Sequence, residues 1–267
     1  MCSWTPRKAS FLAMRCDILT LFPAPVEAYL AVGILGKAIA AGILDVRVHD
    51  LRRWAINRYG QVDDEVYGGG PGMAIMAPVA VRAVEEVTAG EQARVILPDP
   101  RGRVFTQEVA KELAGERRLV FLCGRYEGFD ARVAEVLKAD EISIGDYVVS
   151  GGELPALVIL DAVARQVRGV VGDPDSVVQD SFTQGLLDFP VYTRPREFRG
   201  LSVPEVLLSG DHQKVADYRT EVSLRLTLLR RPELLLRHFF ELPKELRQKA
   251  RKLAQELGVS GLPEEPS

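Results

Sequence analysis

Residues 144–156 read IGDYVVSGGELPA, and the fold turns on how they are taken. Apolar residues lead in from 141–144, and an apolar helical pattern follows over 153–167, with Leu154, Leu157, Val158, Asp161, Ala162 and Arg165 at helical spacing. Between them sit three glycines, a serine and two acids, the least core-like residues between two core elements. Strand, glycine loop and helix in that order is the building unit of a parallel α/β sheet. In such sheets ligands sit at the carboxyl ends of strands. Glycine there lets a backbone approach a ligand with no Cβ in the way.

The same unit recurs on the amino-terminal side. Short apolar runs at 15–21, 44–49, 94–97 and 118–122 are expected strands, each bounded by turn residues. Helical patterns cover 25–41, 78–88, 106–114 and 130–137, the first closed by Gly42 as its C′ residue. Two further glycine-bearing loops follow strands, LPDPRG at 97–102 and LCGRYEG at 122–128. From Gly172 the chain turns polar, with aromatics and prolines to about residue 200, and reads as a linker or binding loop. Beyond it the pattern is helical: Ser202 to Glu205 has capping-box spacing, and Leu246, Ala250, Leu253 and Leu257 share one helix face.

With 267 residues, 47% of them hydrophobic, the chain can bury a real core. The net charge of −3 argues against a nucleic-acid partner when taken alone. Residues 214–252 nevertheless carry eleven Lys and Arg against five Asp and Glu, so an acidic total hides a basic helical module. Cys2, Cys16 and Cys123 have no CxxC spacing and read as reduced thiols of a cytoplasmic protein, Cys123 as a small buried hydrophobe. His49, His212 and His238 are too scattered for a zinc motif. Trp54 and Tyr59 are expected in packing rather than base stacking. No apolar run is long enough for a membrane span. A P-loop, a GxGxxG after the first strand, GxSxG and HExxH are all missing, which sets aside the commonest nucleotide, hydrolase and zinc-protease readings.

Five ordered motifs carry a specific resemblance: YGGGPGM (67–73), LCGRYEG (122–128), SIGDYVVSGGELPA (143–156), DSFTQGLLDFPVYTRP (180–195) and LRRPELL (229–235). Together they resemble the bacterial tRNA (guanine-N1)-methyltransferases of the TrmD family, collinearly from Met14 to the final helices. The departures are LPDPRG where the family usually has LSPQG, and Val149 where it often has Leu.

The resemblance implies an α/β, trefoil-knotted methyltransferase domain of the SPOUT class with a mostly parallel sheet, and a small all-helical C-terminal domain. Its boundaries would be an extension or misassigned start at 1–13, the knotted domain at 14–171, a linker at 172–195 and a tRNA-binding domain at 196–267. It implies a homodimer with composite sites, S-adenosyl-L-methionine as methyl donor and tRNA carrying G37 as substrate.

Residue by residue, it places the donor against Pro100, Gly102, Gly124, Ile144, Gly145, Asp146, Tyr147, Val148, Val149, Gly151, Gly152, Leu154 and Pro155. Arg125, Glu127, Gly70, Pro71, Gly72 and Met73 would meet the guanine. Asp180 matches the family's general base, and Arg165 the arginine near the reacting centre. Guanine N1 carries a proton, so methylation there needs a base and a cation to hold the charge developing on O6. Some members depend on Mg²⁺, for which Asp63, Asp64, Glu127 and Asp180 are available acids; the metal site stays unknown. Read alone, a loop aspartate usually caps a turn, and a helix arginine usually joins a surface ion pair. Two other functions stay open: a knotted enzyme acting on another RNA nucleotide, such as a ribose 2′-OH, and a non-catalytic RNA-binding protein.

Overall fold

The computed structural model describes residues 13–69, 72–172, 180–182 and 185–264. The chain forms two compact units, residues 1–172 and 173–267.

The first unit is built on five parallel strands: β1 (Met14–Thr20), β2 (Leu44–Asp50), β5 (Arg94–Val104), β6 (Arg118–Leu122) and β7 (Asp140–Ser143). Their order is β2-β1-β6-β5-β7, which puts β6 at the centre between β1 and β5. Every residue of β6 is buried, as a strand covered on both faces requires; Leu119 to Leu122 are apolar, and Arg118 is buried against Asp17. Side chains alternate between two cores. Cys16, Ile18, Ile96, Leu119, Phe121 and Ile142 face one side, under α1 (Pro23–Leu30), α2 (Gly33–Ala40), α4 (Gln107–Ala114) and α6 (Glu153–Gln166). Leu19, Val95, Leu97, Val120 and Leu122 face the other, under α3 (Ala77–Thr88) and α5 (Arg132–Leu137). A short antiparallel pair, β3 (Asp63–Glu65) and β4 (Met73–Ile75), joins the second side, where Ile75 bridges to Phe129.

The helix expected over 25–41 is two helices. Gly33 has φ of +65°, which turns the chain between them, and Gly42 ends the second at φ +70°. The strand expected at 94–97 runs further. It leaves its partner after Pro98 and returns at Arg103, both residues lying opposite Ile142 of β7. Asp99 closes this excursion: its carboxylate accepts from the Arg101 backbone N–H at 2.8 Å and pairs with the Arg101 guanidinium at 2.8 Å. Trp54 is packed, its Nε1–H donating to Glu86 at 2.7 Å. Tyr59 is 79% exposed, contrary to the expectation of packing, and lies under the Arg58 guanidinium.

In the second unit α7 (His212–Arg230), α8 (Pro232–His238) and α9 (Lys244–Leu257) enclose a core of Leu224, Leu228, Leu235, Phe239, Ala250 and Leu253. Asp211 caps α7 by accepting from the Lys214 N–H. Two corrections apply here. A hairpin of two-residue strands, β8 (Glu197–Phe198) and β9 (Leu201–Ser202), precedes the helices. Ser202 is therefore a strand residue and no cap; the short 3₁₀ turn Glu205–Leu208 is entered through Pro204. Among the described residues, no helix is long and apolar enough to cross a membrane.

Candidate active site

A cleft of about 470 Å³ opens at the carboxyl ends of three neighbouring strands, β6, β5 and β7. Its walls are three loops. The β5 excursion contributes Pro98, Pro100 and Arg101; the loop after β6 contributes Gly124, Tyr126, Glu127 and Phe129; the loop after β7 contributes Ile144 to Ser150 with the exception of Asp146. Gly151, Gly152 and Pro155 close it at the start of α6.

Two backbone crossings hold the walls together. The Gly152 N–H donates to the Gly124 carbonyl at 2.8 Å, and a Cβ on Gly152 would stand 2.7 Å from the Gly124 nitrogen. A Cβ on Gly102 would stand 2.2 Å from the Glu141 carbonyl carbon. Neither position has room for a side chain, so small residues here follow from strand-end loops pressed against one another.

Of the residues expected at the methyl donor, ten line the cleft: Pro100, Gly124, Ile144, Gly145, Tyr147, Val148, Val149, Gly151, Gly152 and Pro155. Gly102 lies at the crossing behind the wall. Asp146 and Leu154 do not line it, and Leu154 is 61% exposed on α6. Among the residues expected at the guanine, Glu127 lines the cleft, and Gly72 lies beside it: a Cβ there would meet the Glu127 side chain at 2.8 Å. Met73 begins β4, its carbonyl accepting from the Glu127 N–H. Gly70 and Pro71 lie outside the described residues. Arg165 is half-buried in the last turn of α6, in the first unit; Asp180 is half-buried in the second unit.

Sequence reasoning missed Tyr126, Phe129 and Ser143, among others, as cleft residues. Tyr126 left a faint signal, a bulky residue between Arg and Glu in a glycine loop; it takes φ of +60°, an expensive conformation for an aromatic residue. Cys123 is wholly buried, and burial first, then the nearby Glu153 charge, pushes its thiol well above the ordinary range, which keeps it protonated and unreactive. Among the described residues, no cluster of three or more His, Cys, Asp or Glu could hold a metal ion.

Fold and cleft together define an α/β protein of the parallel-sheet class with a glycine-walled ligand site at its strand ends. A family model described as tRNA (Guanine-1)-methyltransferase TrmD matches residues 14–237. Proteins named tRNA (guanine-N(1)-)-methyltransferase resemble the chain along most of its length. One from Thermus thermophilus is 54% identical over 224 residues, covering 84% of this chain and 92% of its own. The one from Geobacillus kaustophilus is 52% identical over 223 residues, covering 83% and 91%. The one from Thermomicrobium roseum is 49% identical over 226 residues, covering 84% of each. The chain belongs to the tRNA (guanine-1)-methyltransferase family, a family of enzymes.

Proposed function

We propose that the chain transfers a methyl group from S-adenosyl-L-methionine to N1 of guanosine 37 in tRNA. The observation that carries this reading is the cleft, whose glycine loops match the family's motifs in order and offer backbone N–H and C=O groups with little side-chain bulk. Pro100, Gly124, Ile144, Gly145, Gly151, Gly152, Pro155 and the ring of Tyr147 would hold the donor, with Val148 and Val149 as apolar walls. The donor supplies an electrophilic methyl carbon on a sulfonium.

Asp180 takes the N1 proton of guanine. The N1 lone pair forms the new N–C bond, the S–C bond breaks, and its electron pair stays on sulfur. Arg165 stabilises the charge that spreads towards O6 as the proton leaves. Glu127, with Gly72 and Met73 beside it, faces the guanine.

The finer architecture belongs to the same reading. The knot follows from the family motifs, and the crossings at Gly102 and Gly152, which have no room for a Cβ, are compatible with it. A homodimer is supported by Leu154 and Val158, exposed one turn apart on α6, and by the largely exposed Val148. The division into a knotted domain at 14–171, a linker at 172–195 and a tRNA-binding module at 196–267 follows the family motifs, as does the cytoplasmic setting. Expectations for residues 1–12, 173–179 and 183–184 lie outside the described residues.

Asp180→Asn tests the base assignment. It should leave donor binding within about twofold and cut single-turnover methyl transfer by about 10² or more, the usual contribution of a positioned base. Turnover close to that of the unaltered protein would remove Asp180 from the role.

A further inference from the structure

The resemblance gives Arg125 to the guanine, but its surroundings assign it elsewhere. Its Nε stands 3.0 Å from Glu153 Oε2 as an ion pair. Neither of these buried atoms has a hydrogen-bond partner, so charge rather than directed bonding holds them. Arg125 Nη1 donates to the Ser150 carbonyl at 3.3 Å, and the guanidinium lies 4.5 Å from the centre of the Phe22 ring. The other oxygen of Glu153 accepts from the Thr20 hydroxyl at 2.6 Å, and that hydroxyl accepts from the Phe22 N–H at 2.9 Å. Glu153 is 6% exposed and opens α6.

These contacts join three strand ends. Thr20 ends β1, Arg125 follows β6, and Ser150 and Glu153 follow β7. Gly151 fits the same picture: a Cβ there would stand 2.5 Å from Arg125 Nε and 2.6 Å from Glu153 Oε2. The pair thus occupies the space that a side chain at 151 would need.

We infer that Glu153 and Arg125 are positioning residues, a buried tie that holds the loops after β6 and β7 at the spacing the methyl donor requires. The inference rests on the proposed donor site and deepens it. A buried carboxylate that loses its cation, or the reverse, leaves an uncompensated charge under the cleft wall. Breaking either end should therefore loosen the donor site, while tRNA contacts are untouched.

The experiment is a double-mutant cycle with Glu153→Gln, Arg125→Gln and both together. Calorimetry would read S-adenosylhomocysteine affinity, filter binding would read tRNA affinity, and initial rates would separate kcat from the KM of each substrate. Each single variant should weaken S-adenosylhomocysteine binding by about tenfold, equal to about 1.4 kcal/mol. The double variant should be no weaker than the worse single, with tRNA affinity within about twofold. A tie that serves stability alone would lower the melting temperature and leave S-adenosylhomocysteine affinity unchanged, which overturns the inference. So would an Arg125→Gln variant that loses tRNA affinity and keeps S-adenosylhomocysteine affinity. If Glu153→Gln does not fold, Arg125→Gln, at a partly exposed position, decides between these outcomes alone. Failure of the unaltered chain to bind S-adenosylhomocysteine would remove the donor site itself, a result distinct from failure of the tie.

Discussion

Asp17 shows what one buried charge does in this molecule. It sits inside β1 with no exposed surface, meets Arg118 at 2.8 Å, His49 at 2.8 Å and Arg15 at 3.1 Å, and has sheet on either side. Arg118 is itself buried and gives its other N–H groups to the Val87 and Thr88 carbonyls at the end of α3 and to the exposed Glu91 carboxylate at 2.7 Å. Burial by itself would raise the Asp17 carboxyl, but hydrogen bonds from His49, Arg118 and Arg15 together outweigh it and hold the group below its ordinary value. A carboxylate depressed in the folded state contributes stability above its unfolded pKa of about 3.9, and loses it as pH falls through the folded value. Asp17→Asn takes away the buried partner of Arg118 and leaves it only the exposed Glu91 carboxylate, so it should cost at most about 3–5 kcal/mol at pH 7. Urea unfolding at pH 7 and pH 3 checks the sign: the gap between variant and parent should narrow at pH 3. An equal gap at both values would show that the ion pair does not set the pH dependence.

Among the elements, the β5–β7 pair bears most directly on the site. Pro98 and Arg103 face the same residue of β7, so four residues bulge out between them and form one wall of the cleft. Gly102 makes that return possible. An added Cβ would meet main chain rather than a movable side chain, so Gly102→Ala must push β5 and β7 apart. Overpacking of this kind costs about 1–3 kcal/mol. Thermal unfolding with and without S-adenosylhomocysteine should show a lower melting temperature and a smaller ligand-induced rise. An unchanged rise would mean the excursion is not part of the donor site.

The same element marks the limit of sequence reading. The apolar run before LPDPRG announced a strand and the glycine a loop, because both signals are local. The return to β7 is a pairing across some forty residues and leaves no local mark. The break at Gly33 was hidden for the opposite reason: apolar residues keep helical spacing straight across it. Glu153 drew no role of its own from the sequence, since its partners Thr20 and Arg125 are distant along the chain. The glycine motifs themselves were legible, as each records a backbone approach that excludes a side chain.

At the scale of the whole molecule, the proposal asks each site to draw on two copies of the chain. Mixing an Asp180→Asn protein with a Gly152→Ala protein, each inactive alone, should restore activity as subunits exchange. Persistent inactivity after exchange would argue that each chain builds its site unaided. The stretch 214–252 carries eleven Lys and Arg against five Asp and Glu, and the proposal places the tRNA phosphates there. The central claim is the chemistry, a methyl group placed on N1 of one guanine. It is tested most directly by incubating the protein with labelled S-adenosylmethionine and two tRNA transcripts, one with G37 and one with A37, then identifying the labelled nucleoside by mass. Label found only as 1-methylguanosine from the G37 transcript is the predicted result. Label on a ribose, label from both transcripts, or tRNA bound with no label transferred would contradict it.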